Sequence, residues 1–548
     1  MTLTVPAFAA LRRVWPSVLP AALALGWLAA RCVGAGDTPP KPIVYDDEDE
    51  SPALANLPRG ERAARRACTI CHLFPDPSLL DKKNWYEQIL QRMKVELGIA
   101  KPDYSTSPDG ELLRQRHIYP DQPRIPVEDW PWIEEYYLQH APDAPVPQDP
   151  RPEIKVGLPQ FSVEPSRLRL LQPSTTLVKI SPKTHRLYVG DDHTQSLSVL
   201  NAEGELIETI KVGNVPTDVV ETERGLYVVC IGDFFPREVY RGEFLFLPKQ
   251  GDHYGPRQVL LKELPRTVQA RFADLNGDGR EDFVLCMFGN RTGRFSWFEN
   301  LGGERYKEHV LANKSGAMYC YVHDFNADGK PDLAVLMAQE LEMLIILLND
   351  GKGNFISEEV FRQPPVYGHS YFELVDFDGD GRQDILVTNG DNGEYNSPLK
   401  KYHAIRLLLN KGGTRFEQAW EFPLNGAYHA TARDFRGTGR LDIAAVSYFP
   451  DWVNCPRESF VFLANQGGLK FAPATFPQCI SGNWLVMDAG DLDGDGDEDL
   501  ALGSYVGGPG SAPPWLVKTW TDQGASVQIL RNTLKDHRAI KPTAKTAP

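Results

Sequence analysis

What the 548-residue chain lacks narrows it first. It has no long basic run, and its net charge of −15 is spread widely. A nucleic-acid groove and attraction to anionic lipid are therefore excluded. Beyond Ala30 no apolar run is long enough to span a bilayer. The one apolar stretch, Val14 to Ala30, follows Arg12 and Arg13, is broken by Pro16 and Pro20, and ends among small residues at Ala29, Ala30 and Ala35. That order predicts a secretory signal peptide over 1–35, and export to the periplasm or cell surface of a bacterium. The chain would meet a membrane only if this segment were retained or Cys32 lipidated, and Arg31 stands where a lipidation signal wants a small residue. Methionine is scarce too: Met93 is the only one between the leader and Met287. The 12 histidines include no His-x-His pair.

What is present falls into segments. A hydrophobic fraction of 42% is enough for real cores, and the length calls for more than one folded unit. An acidic linker, 36–58, contains Asp46-Asp47-Glu48-Asp49-Glu50 and is too polar to fold alone. From 59 to 142 the pattern is helical: Gly60 to Cys68, Lys82 to Leu97 with Asp81 as cap and Gly98 as stop, and Val127 to His140 with Trp130, Ile133 and Tyr137 on one face. A second linker, 143–164, is proline-rich and reads as a stiff spacer. From 165 to 535 the texture is short β-branched and aromatic runs separated by Gly, Asn and Asp. A tail, 536–548, follows.

The helical segment carries Cys68-Thr69-Ile70-Cys71-His72. Two thiols at this spacing reach the two vinyl groups of a haem, and the next residue places an imidazole under the iron. A zinc knuckle would need more Cys or His nearby, and a thioredoxin-like pair would need a βαβ setting. The motif therefore predicts one covalent haem c held by Cys68, Cys71 and His72. Met93 is the expected sixth ligand, with His117 and His140 as alternatives. Thioether ligation would saturate the iron and suit electron transfer. With Cys32 in the leader and two thiols on haem, five of the eight cysteines remain. Cys455 and Cys479, flanking a hairpin-like stretch, are the candidate disulfide; Cys230, Cys286 and Cys320 lie in apolar strands and are expected to be buried free thiols.

The long segment contains a repeat. Asp274, Asn276, Asp278, Arg280 and Asp282 recur as Asp324, Asn326, Asp328, Lys330 and Asp332, as Asp376, Asp378, Asp380, Arg382 and Asp384, and as Asp491, Asp493, Asp495, Asp497 and Asp499. A degenerate copy runs from Asp434 to Asp442, with Arg436 and Thr438 replacing acids. The first aspartates are 50, 52, 58 and 57 residues apart, the length of a four-stranded propeller blade. Two earlier units, Thr176 to Leu200 and Thr217 to Leu247, share the strand rhythm, which makes seven blades. An Asn-Gly-rich turn before an aromatic, as at Asn300, Asn349, Asn410 and Asn465, reads as the hairpin that sets register.

These repeats resemble the FG-GAP or VCBS class of integrin-like β-propellers, and residues 59–142 resemble a small class I cytochrome c. The expected fold class is mainly β, a seven-bladed propeller with calcium-binding blade loops, preceded by a small all-α domain. Each intact loop offers oxygens at positions one, three and five, a backbone carbonyl at seven and a carboxylate at nine, with Gly at six for the turn. About four calcium ions are expected; in the degenerate loop the Arg436 guanidinium takes the cation's place. The resemblance gives these ions a structural role. The functional expectation is an exported electron carrier, more a carrier than an enzyme, with the propeller docking to a redox partner protein, a polysaccharide or the cell surface. The rivals are a propeller-housed dehydrogenase feeding the haem from a copper or quinone site on the axis, against which His323, His369 and His429 read as scattered channel-lining or core histidines, and an adhesion or carbohydrate-binding protein. The insertion Asn389 to His403 is a candidate binding loop.

Overall fold

The computed structural model describes residues 52–535, except 165–166, 171, 394–397, 509 and 511. The chain divides into Met1–Ile43 and Val44–Pro548. The leader, the acidic run and the tail lie outside the described residues, and every described helix and strand belongs to the second unit.

The helical segment folds where its caps and periodicity place it. Arg59–Cys68 begins after Pro58, carries Glu61 in its first turn and Arg65 and Arg66 in its last, and buries Ala63, Ala64 and Ala67. The next helix, 82–96, starts at Asp81, whose carboxylate accepts the N–H groups of Lys83 and Asn84, each at 3.1 Å. Within it, Trp85–Ile89 forms a π-helical turn before Leu90–Glu96, a local widening that helices use where a side chain must be re-aimed. Trp130–His140 lays Trp130, Ile133, Tyr136 and Tyr137 on the core. Trp85 packs against Tyr137 at 4.5 Å between ring centroids and donates to Pro77 O at 2.8 Å.

The remainder is a seven-bladed β-propeller of antiparallel sheets. Blade 1 spans Thr175–Ser181 to Leu206–Lys211 and blade 2 Pro216–Thr222 to Gln258–Leu264. Blades 3, 4 and 5 run from Thr267–Ala273 to Tyr306–Ala312, from Ala317–His323 to Phe355–Arg362 and from His369–Val375 to Phe416–Pro423. Blade 6 begins at Ala427–Arg433 and blade 7 at Trp484–Gly490. In blades 3 to 7 the second strands, such as Asp332–Met337, are buried throughout because neighbouring sheets cover both faces. One core cluster joins Phe295 and Trp297 of blade 3 to Leu333, Val335 and Met337 of blade 4. Each such side chain contributes about 1.5–3 kcal/mol.

One boundary is corrected. The proline-rich segment 143–164 is not only a spacer. Phe161–Glu164 pairs antiparallel with Val527–Asn532 as the outer strand of blade 7, and Lys155–Val156 pairs parallel with Lys470–Thr475 on blade 6. Closing the ring requires an outer strand for blade 7, and the segment just ahead of blade 1 supplies it. The strands lie between prolines rather than over them, so neither loses a ladder hydrogen bond.

Antiparallel order sorts the connections. Turns between first and second strands, and between third and fourth, lie at one end of each blade, so the acidic loops and the Asn-Gly turns share one face. The second-to-third loops lie on the other, and there the helical segment docks. Asp109 receives Arg237 in an ion pair at 2.8 Å and the Glu238 N–H at 2.9 Å, while Arg291 pairs with Glu96 at 3.0 Å.

Candidate functional site

The Cys68 to His72 motif starts in the last turn of the Arg59–Cys68 helix and continues into a loop held by Tyr137, whose hydroxyl donates to Pro75 O at 2.8 Å and lies 3.6 Å from Cys68 Sγ. Both thiols are free. Burial pushes the Cys68 thiol up to about 11. The Cys71 thiol is also raised, by burial first and then by Glu340 of a propeller loop, and Arg124 donates to it at 3.7 Å. Raised thiols are the reverse of what a nucleophilic redox pair needs. His72 bonds through Nδ1 to Leu73 O at 2.8 Å, which leaves Nε2 available to ligate, and burial lowers its pKa, which favours the neutral ring. The three donors do not converge as ligands of one metal ion would; among the described residues such groups occur only in the acidic loops. Two unbridged thiols and a neutral, oriented imidazole fit a haem c.

Met93 is part-buried against the same core cluster as Cys68 and Ile70. The alternatives are placed differently. His117 is exposed and sits 3.7 Å from Asp121, and His140 bonds to Tyr136 O at 2.8 Å and packs on the Tyr136 ring.

On the opposite face the acidic loops divide their carboxylates between two tasks. The first aspartate organises the loop: Asp324 accepts the N–H groups of Asp328 and Gly329 at 3.1 and 2.8 Å, Asp274 and Asp376 do the same in theirs, and Asp491 accepts those of Gly494 and Gly496. The ninth is fully buried and ties the loop to the Asn-Gly turn. Asp332 accepts Phe325 N at 2.9 Å and Asn349 N at 2.8 Å, Asp384 accepts Phe377 N and Asn410 N, and Asp282 and Asp499 repeat the pattern with Asn300 and Asn532. The two sequence signatures are thus halves of one latch. The aspartate and its asparagine stand 17 to 33 residues apart, so no fixed spacing joined them; their recurrence once in each blade, in the same order, was the signal that could have.

The carboxylates of Asp376, Asp378 and Asp384, and those of Asp491, Asp493 and Asp495, come within 4.8 Å of one another, close enough to share one cation. Asp495 Oδ2 and Asp497 Oδ1 are buried without a hydrogen-bond partner, which suits a cation site. Position seven does more than offer a carbonyl: Lys330 reaches Asp328 at 3.1 Å, and Arg280 and Arg382 fold back on Asp278 and Asp380. The fifth loop also receives Arg531, 3.2 Å from Asp499 and 3.4 Å from Asp493, and the Lys535 ammonium, which donates to Gly496 O, so two positive charges face its five carboxylates. In the degenerate loop Arg436 grips Asp442 at 2.8 Å, while Asp434 still accepts Thr438 N and Gly439 N. The hydrogen bonds of the first aspartate are thus common to the acidic loops and the degenerate one.

Other candidates separate. His369 pairs with Glu342 at 2.7 Å, His429 stacks on Tyr371 at 3.6 Å and His323 packs on Phe325, with no histidine cluster among the described residues. Cys455 and Cys479 are both free thiols, against the expected disulfide: Cys455 starts the Pro456–Ser459 turn while Cys479 is buried in the blade 6–7 core. Cys230, Cys286 and Cys320 are buried free thiols. Residues 394–397 of the insertion lie outside the described residues. A cavity of about 340 Å³, with no sequence signal of its own, opens between Asp192, His193, Phe235 and Tyr505.

No curated protein sequence matches the chain. Among solved structures, the N-terminal domain of Nup159 is 11% identical, with 69% of this chain and 98% of that one covered and a TM-score of 0.39. Hydrazine synthase of Kuenenia stuttgartiensis is 12% identical, with coverage of 62% and 95% and a TM-score of 0.39. Regucalcin, a calcium-binding protein of Agrobacterium tumefaciens, is 10% identical, with coverage of 55% and 92% and a TM-score of 0.34. The FG-GAP-like repeat family matches residues 274–335, 324–387 and 376–445. Blades 3 to 6 of this seven-bladed propeller are thus built on FG-GAP-like repeats.

Proposed function

We propose that the protein is an exported electron carrier in which residues 59–142 are a cytochrome c domain and the propeller is a calcium-stabilised docking scaffold. The observation that carries this reading is the Cys68 to His72 motif at a helix end, with both thiols unbridged and His72 Nε2 free to ligate. Cys68 and Cys71 would attach one haem c, His72 would ligate it and Met93 would be its sixth ligand; bound there, the haem supplies a one-electron redox centre. The chain's own work is positional. Leu73 O fixes the His72 tautomer, Tyr137 holds the loop, and the Asp109, Glu96 and Arg291 contacts anchor the domain to the propeller.

Calcium at the loops of blades 3, 4, 5 and 7 would relieve the repulsion among their aspartates, and blade 6 has Arg436 instead. A carrier is favoured over a propeller-housed dehydrogenase because His323, His369 and His429 do not meet at one centre. A redox partner protein, a polysaccharide or a cell-surface component would be met through the propeller. The test is production in a host with c-type maturation. A thioether-linked, low-spin haem spectrum that disappears in Cys68→Ala/Cys71→Ala is expected, and an unchanged spectrum in that variant sinks the reading.

A further inference from the structure

The cavity on the helical segment's side of the propeller is built from three blades. Asp192 and His193 come from the second-to-third turn of blade 1, Phe235 from the corresponding loop of blade 2, and Tyr505 follows the second strand of blade 7. Tyr505 donates its hydroxyl to Asp192 Oδ2 at 2.7 Å. Phe234 stacks on the Tyr505 ring at 4.5 Å, and Phe235 meets it edge-on at 6.2 Å while remaining 43% exposed. His193 is exposed beside the carboxylate, and Gln172 closes one side by donating to Val506 O at 2.9 Å.

This lining selects a chemistry. It contains no Lys or Arg, so nothing in it compensates an anion. Its carboxylate already accepts one neutral hydroxyl donor and sits next to an imidazole that can donate or accept. Its apolar element is an exposed aromatic ring. At about 340 Å³ the cavity lies at the lower end of small-molecule sites, which run from about 300 to 1,000 Å³.

We propose that this cavity binds a neutral saccharide, one ring at a time, with hydroxyls on Asp192 and His193 and the apolar face of the sugar on Phe235. The loop that presents Phe235 continues into Arg237 and Glu238, both held by Asp109, so the site is assembled against the docked helical segment. Saccharide binding does not require the haem reading and stands if that reading fails.

Saturation-transfer NMR and calorimetry on the full chain, with glucose, galactose, xylose and maltose as probes and choline as an organic cation, test it. At least one sugar is expected to bind saturably, and Phe235→Ala and Asp192→Asn should each weaken it about tenfold, the loss of roughly 1.4 kcal/mol, with circular dichroism unchanged. Phe235 is exposed enough that its variant folds and decides the matter if Asp192→Asn does not. No binding by any of the sugars, sugar binding indifferent to both substitutions, or choline binding in their place overturns the proposal.

Discussion

Replacing Asp332 by Ala separates the two tasks of the acidic loops. Its carboxylate is fully buried and accepts two backbone N–H groups, Phe325 N at 2.9 Å and Asn349 N at 2.8 Å. In Asp332→Ala both donors lose their partner inside the blade, and each unsatisfied buried group costs about 1–3 kcal/mol. The gross loss is about 2–6 kcal/mol. Burial of the carboxylate, which raises its pKa, offsets part of this, so the net loss should be about 3 kcal/mol. Asp332→Asn keeps one acceptor and should lose less. Asp328, whose side chain is 33% exposed, bonds only within its own loop, and Asp328→Ala should leave calcium-free stability unchanged while weakening calcium binding. Urea unfolding followed by circular dichroism, in chelator and in calcium, makes the comparison. If Asp332→Ala in chelator loses less than about 1 kcal/mol, or loses stability only when calcium is present, the latch argument is wrong.

Other outcomes rest on single contacts. Ala327 holds a left-handed φ of 59° where the other acidic loops have glycine, as at Gly277 with φ 72°, so Ala327→Gly should raise stability by about 1 kcal/mol in thermal melts. Asp109→Ala removes the partner of Arg237 and of the Glu238 N–H at the docking surface; faster proteolytic cleavage between 142 and 154 is expected, and an unchanged digestion pattern would argue against docking through this pair. His429 has its pKa lowered to about 3 by burial and then by the charges of Lys179 and Arg433, against 6.5 unfolded. Its contribution is therefore present above pH 6.5 and lost as pH falls towards 3. His429→Phe should flatten that acid limb of the unfolding curve. Chelation should lower the melting temperature of the wild type, whereas Arg436→Ala should lower it equally with and without calcium, because Asp442 then lacks its cation.

Much of the propeller was legible locally. The acidic repeat, its spacing near one blade length and the Asn-Gly turns are each short-range patterns, and they indicated seven blades with an acidic first turn in most of the repeats. The caps at Asp81 and Gly98 bounded the second helix for the same reason: a helix end is decided by a few neighbouring residues. Three things were not legible. The closing strand Phe161–Glu164 has a polar face and proline neighbours, and nothing local announces that it pairs with Val527–Asn532, more than 360 residues away. The free state of Cys455 and Cys479 depends on where two loops settle. The inward folding of Arg280 and Arg382 depends on side-chain direction rather than order.

The sequence by itself determined the chemistry on offer, namely two thiols and an imidazole at fixed spacing and oxygen donors at positions one, three, five and nine, because covalent neighbours set those distances. The tertiary structure decided their use. It buried the ninth aspartates against the backbone of a second turn in the same blade, and brought Asp192, Phe235 and Tyr505 from three blades around one cavity. Contacts that join the first blades to the last, such as this cavity and the Phe161–Glu164 strand on Val527–Asn532, form only when the ring closes, and closure is a property of all seven blades together.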